Sequence, residues 1–184
     1  MSKVYIFLAD GFEEVEGLTQ VDLLRRAGAD VKTVSITDSK SVTGSHNILV
    51  GADMTISELK EDADLVVLPG GLPGTNHLKE SMELAKILKS QDQAGRLIGA
   101  ICAAPSVLVH HGMLKDRRAT SYPGSIDEDD CKEYLTDPVV RDGNVITSRG
   151  VGTAIPFALA LIEALYDKKK ADEIAASIIY NQER

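Results

Sequence analysis

The chain has 184 residues, 43% of them hydrophobic and 26% charged, the balance of an ordinary globular protein with enough apolar side chains for one core. Lys plus Arg number 20 against 28 for Asp plus Glu, a net charge of −8, which makes nucleic acid or an anionic membrane an unsuitable partner. No apolar run can span a bilayer, and the short one after the N-terminus does not suit a secretory signal, so a single cytoplasmic domain over residues 1–184 is expected.

Val4 to Ala9 is a continuous apolar run, the pattern of a strand covered on both faces. Glu13 to Arg26 follows with helical spacing, Val15, Leu18, Val21 and Leu24 falling near one stripe, and Gly28 ends it. Val31 to Ile36 reads as a strand and Ser41 to Val50 as a small hairpin. Ala63 to Leu68 is another buried strand, stopped by Pro69-Gly70-Gly71, and Glu80 to Ser90 an amphipathic helix. Leu97 to Ile101 is a short strand running straight into Cys102, and Ala103 to His110 is helical, with Pro105 in the first turn. Val139–Arg141 and Asn144–Thr147 flank an Asp142-Gly143 hairpin turn, and two helices, Thr153 to Tyr166 and Lys170 to Tyr180, close the chain. The alternation predicts an α/β three-layer sandwich, a mostly parallel sheet with helices on both faces. Ligands of such sheets sit beyond the carboxyl ends of the strands.

Three segments lie at those strand ends. In Gly99-Ala100-Ile101-Cys102-Ala103-Ala104-Pro105 a buried strand turns into a helix among small residues, the device of a nucleophile elbow. A cysteine there lies over a helix N-terminus, which favours the thiolate and predicts a lowered pKa. The alternative is a small buried hydrophobe. Gly70 and Gly71 allow close backbone approach, and one of their N–H groups with that of Ala103 could hold an oxyanion. Glu13, Glu14 and Glu16 follow the first strand; at most one is expected to face the rim, where a thiolate would raise its pKa, while the others solvate the helix start. His77 is placed in a loop, and His110 and His111 about 12 Å or more along the helix from Cys102. Cys131 sits in an acidic segment that should quiet it. No metal or cofactor motif is present, so none is expected.

These stretches together resemble the ThiJ/PfpI superfamily, in the branch of the parkinsonism-associated deglycase. The resemblance rests on Ala9-Asp10-Gly11-Phe12-Glu13-Glu14-Val15-Glu16, Val21–Gly28, Val67-Leu68-Pro69-Gly70-Gly71, Ala100–Pro105 and Thr147–Thr153, in that order over the whole chain. It implies a flavodoxin-like sandwich, a homodimer, and Cys102 as an oxidation-prone nucleophile. It also implies Glu16 as the acid bonded to the Cys, and Gly70, Gly71 and Ala103 as backbone donors. Glu13, Arg26 and His46 match positions at the site rim or dimer interface. One departure stands out: Tyr122, in Thr120-Ser121-Tyr122-Pro123, holds the place of a His found in many relatives. That weakens a Cys-His peptidase or amidase reading. A cofactor-free glyoxalase or protein deglycase acting on methylglyoxal-type aldehydes, or their early adducts, is the function implied. A redox sensor or redox-regulated chaperone is the alternative built on the same residues.

Overall fold

The computed structural model describes residues 1–180. The first apolar run becomes β1 (Lys3–Leu8), and α1 (Glu14–Arg26) leads from it to β2 (Asp30–Ser35). The predicted hairpin is β3 (Ser41–Thr43) with β4 (Leu49–Gly51), and β5 (Met54–Thr55) adds an edge. β6 (Leu65–Leu68), α2 (Gly74–Glu80), α3 (Met82–Gln93), β7 (Leu97–Ile101) and α4 (Pro105–His110) follow. Then come the short β8 (Arg118–Ala119) and β9 (Glu133–Tyr134), the hairpin of β10 (Val139–Asp142) and β11 (Val145–Ser148), and α5 (Ala154–Leu165) and α6 (Lys168–Ser177).

The main sheet runs β10-β11-β7-β6-β1-β2-β5, parallel except where β10 pairs antiparallel with β11. Strand β1 shows why the run is apolar throughout. Val4, Ile6 and Leu8 pack into one core with α1, α5 and α6, while Tyr5 and Phe7 pack into the other with α2, α3 and α4. A strand buried on both faces cannot alternate. The flavodoxin-like sandwich is therefore the observed fold. From β1 the chain winds outward to β2 and later returns to β6 on the other side. That reversal opens a crevice beyond the carboxyl ends of β1 and β6, the favoured ligand position in open parallel sheets.

Three sequence expectations change. On α1 the buried face is Glu16, Gly17, Gln20, Val21, Leu23 and Leu24, whereas Val15 and Leu18 are exposed. Glu14 is buried too, so it does not solvate the helix start. The stretch after Gly71 is helical, which puts His77 on α2 rather than in a loop. Among the described residues no helix is long and apolar enough to cross a membrane.

Candidate active site

Strand β7 delivers Cys102 at its carboxyl end. The Cys102 N–H still bonds across to Ser148 O of β11 at 3.0 Å, and the chain then turns at once into α4. The turn holds Cys102 at a φ of 64°, the left-handed region that a side-chain-bearing residue rarely enters. Its carbonyl accepts from Tyr122 N at 2.9 Å, which pins the Thr120–Pro123 loop beside the elbow. The thiol is half-buried at the floor of an open cleft of about 660 Å³.

Glu16 comes from the first turn of α1 and is completely buried. Glu13 caps that helix, its Oε2 accepting from Glu16 N at 2.7 Å, and its own N–H donates to Gly70 O at 2.9 Å. Glu16 Oε2 accepts from Gly70 N at 3.0 Å, while Oε1 is buried with no hydrogen-bond partner. Gly70 has to be glycine for this contact. A Cβ there would lie 2.6 Å from Cys102 Cβ, 2.7 Å from Glu16 Oε2 and 3.0 Å from Ala103 N. Its N–H is thus committed to Glu16 and is not a free oxyanion donor. The N–H groups of Ala103 and Gly71 are directed at the Cys102 sulfur.

Burial pushes the Glu16 carboxyl up to about 7; the Cys102 thiol hydrogen bond opposes this, the Glu13 charge reinforces it, and the Gly70 N–H opposes it. Burial also raises Cys102, to about 12, aided by the charge and hydrogen bond of Glu16, against the N–H groups of Ala103 and Gly71. The expected lowering of the thiol pKa is therefore corrected. The elbow N–H groups do favour a thiolate, but desolvation and the adjacent carboxylate outweigh them. At neutral pH sulfur therefore keeps its proton, while Glu16 is divided between carboxyl and carboxylate.

The remaining candidates separate cleanly. Glu13 lines the cleft with Tyr122, which is 56% exposed. His46 does not reach the cysteine. It sits on the β3–β4 hairpin, and its N–H and Nδ1 donate to Glu14 Oε1 and Oε2, each at 2.8 Å. Burial works to raise Glu14, yet these hydrogen bonds hold it at about 2, while the same pairing raises His46. The ligand atoms of Glu13, Glu14 and His46 lie within 4.8 Å of one another and could meet a cation, but both Glu14 oxygens are already engaged. Arg26 pairs with Asp22 at 3.0 Å near the far end of α1 and does not line the cleft. His77 Nδ1 donates to Asp10 O, and Cys131 is buried with a raised pKa from desolvation.

Sequence reasoning assigned no role to Arg149, which lines the cleft with Gly150 to Thr153. Its position in the quoted Thr147–Thr153 segment was the available signal.

Residues 2–164 match the DJ-1/PfpI family. The chain belongs to that family. It is 42% identical over 183 residues to Protein dj-1beta of Drosophila melanogaster, covering 97% of this chain and 98% of that protein. It is 35% identical over 165 residues to glutathione-independent glyoxalase DJR-1.2 of Caenorhabditis elegans, covering 88% and 87%. The structure of oxidized Toxoplasma gondii DJ-1 superposes with a TM-score of 0.93 at 38% identity, over 99% of this chain and all of that one.

Proposed function

We propose that this chain is a cysteine-dependent, cofactor-free glyoxalase or deglycase acting on methylglyoxal-type α-oxoaldehydes or their early adducts. The observation that carries the reading is the Cys102–Glu16 pair, a thiol and a fully buried carboxyl set side by side against Gly70 on the floor of an open cleft. The family relative named a glutathione-independent glyoxalase supports it.

The chemistry balances without an external oxidant. Glu16 takes the thiol proton as sulfur bonds to the aldehyde carbon, and the proton passes to the carbonyl oxygen to give a hemithioacetal. Glu16 then removes the C–H proton from that carbon and returns it to the neighbouring carbon, while the hydroxyl proton of the first carbon passes to the oxygen of the second. One carbon is oxidised and the other reduced, leaving the thioester of a hydroxy acid. Water cleaves the C–S bond and sulfur regains its proton. The Ala103 and Gly71 N–H groups suit the oxyanions that develop next to sulfur. The test is conversion of methylglyoxal to lactate by the purified protein. Cys102→Ser is expected to abolish it; equal rates in the two proteins reject the reading.

The same N–H groups would also hold the oxygens of a sulfinate, which favours a redox-sensing role as a second reading. Mass spectrometry after mild peroxide should then find Cys102 oxidised well before buried Cys131.

We also infer a homodimer. Val15 and Leu18 on α1, Ile48 and Leu49 at the hairpin tip, and Ile155 on α5 expose large apolar side chains. The hairpin is tied to α1 through Glu14, and α1 packs along α5, so these residues lie on adjoining elements. Grouped exposure of this kind marks an interaction surface.

A further inference from the structure

We propose that Arg149 makes the cleft selective for α-oxoaldehydes whose chain ends in an anion, with a carboxylate as the favoured tail. The inference rests on the glyoxalase reading of the cleft and names its substrate class.

Three arginines of the described chain are half-buried. Arg96 pairs with Asp62 at 2.9 Å and Arg117 with Asp92 at 2.7 Å. Arg149 has no carboxylate partner among the described residues. Its Nε donates to Ser121 O at 3.3 Å and Nη1 to Thr136 O at 3.1 Å, both neutral carbonyls. Taking a guanidinium partly out of water without a counter-charge is unfavourable, and in a protein of net charge −8 nearby acids are not scarce. The two carbonyls fix the guanidinium in place and leave Nη2 without a partner among the described residues. A fixed planar cation with a spare donor suits a carboxylate.

Position completes the argument. Arg149 lines the same cleft as Cys102 and Glu16. Ser121, which it grips, precedes Tyr122, whose N–H bonds the Cys102 carbonyl. Gly150 follows it, where a Cβ would stand 3.8 Å from Glu16 Oε1. The helical run from Val151 into α5 starts at this wall, and its positive end adds to the attraction for an anion. Tyr122, Pro123 and Val151 give the methylene groups of a short chain an apolar surface. A neutral three-carbon aldehyde uses none of this.

The test compares two substrates on the full-length protein. One is dioxovalerate, an α-oxoaldehyde whose chain ends in a carboxylate. The other is its neutral analogue with an isopropyl group in that place. Wild type is expected to favour the anion in kcat/KM by roughly tenfold or more, the scale of one charge-assisted hydrogen bond. Added salt should narrow the preference. Arg149→Gln should erase it by raising KM for the anion well beyond any change for the neutral analogue, and Arg149→Lys should restore part of it. If both substrates fall equally in Arg149→Gln, Arg149 only braces the loop and the proposal is overturned. Equal efficiency in wild type overturns it as well. Should neither aldehyde be turned over, the glyoxalase reading fails, but the anion site is still decided by titrating Cys102→Ser with hydroxyglutarate. Binding that Arg149→Gln removes supports it; binding that the substitution leaves unchanged overturns it.

Discussion

Glu16 is completely buried, so its ionisation bears on stability and, in the proposed reaction, on turnover. As a base it must be unprotonated, so kcat/KM is expected to rise with pH through about 7 and level off above. Glu16→Gln should remove that limb along with most of the activity. The linkage runs the other way for stability. A carboxyl raised from 4.5 to about 7 binds its proton more tightly in the folded state, so stability falls as pH climbs through that window. Glu16→Gln should therefore be more stable than wild type at about pH 8, by an amount on the order of 2 kcal/mol, read from urea midpoints. Gly70→Ala tests the packing beneath the pair. Its φ is not in the left-handed region, so the backbone accepts alanine, but the new Cβ must push Cys102 and Glu16 apart. We expect a loss of activity of roughly a hundredfold, the scale seen when reacting groups are displaced by about 1 Å, together with a lower melting temperature from the overpacking.

Among the elements, the β3–β4 hairpin depends on Glu14. The carboxylate accepts from the His46 N–H and ring and from Ser45 Oγ at 3.3 Å, and it lies directly under Gly44. Because Glu14 is held at about 2, its contribution is complete above 4.5 and is lost as pH falls through 2. Glu14→Gln should lower stability at neutral pH and flatten the acid limb between those values, which pH-dependent melting would show. The complementary His46 contribution is complete below its ordinary pKa and fades as pH rises through its elevated folded value. How legible each element was follows from its surroundings. β1, β6 and β7 were plain because strands covered on both faces become unbroken apolar runs. α1 was found, but its inward face was misread. Glu16 points in to line the cleft and Gln20 points in to donate its Nε2 to Ala154 O at the start of α5, while Val15 and Leu18 point out. α2 was missed because its seven residues offer only Leu78 as a large core side chain. For the site, the elbow at Cys102 and the Gly70-Gly71 turn announced themselves. The direction of the thiol pKa did not, because it depends on a desolvation that spacing cannot encode.

For the whole molecule, one surface remains to be accounted for. Leu18 is 37% exposed and Val15 47% exposed on the helix that also carries Glu16. A second copy covering this face would bury them and brace the Glu16-bearing helix from outside. Leu18→Asp is expected to halve the mass measured by light scattering. If Glu16 relies on that brace, turnover should become dependent on protein concentration in the variant.

The left-handed backbone of Cys102 has a last implication for how this protein can be improved. Any L-residue at a φ of 64° holds the chain in tension by about 1–2 kcal/mol, whereas glycine sits there freely. Cys102→Gly should thus yield a sturdier but inert protein. Selection for heat resistance alone would drift toward discarding the sulfur, so any search for hardier variants has to be screened on turnover from the first round.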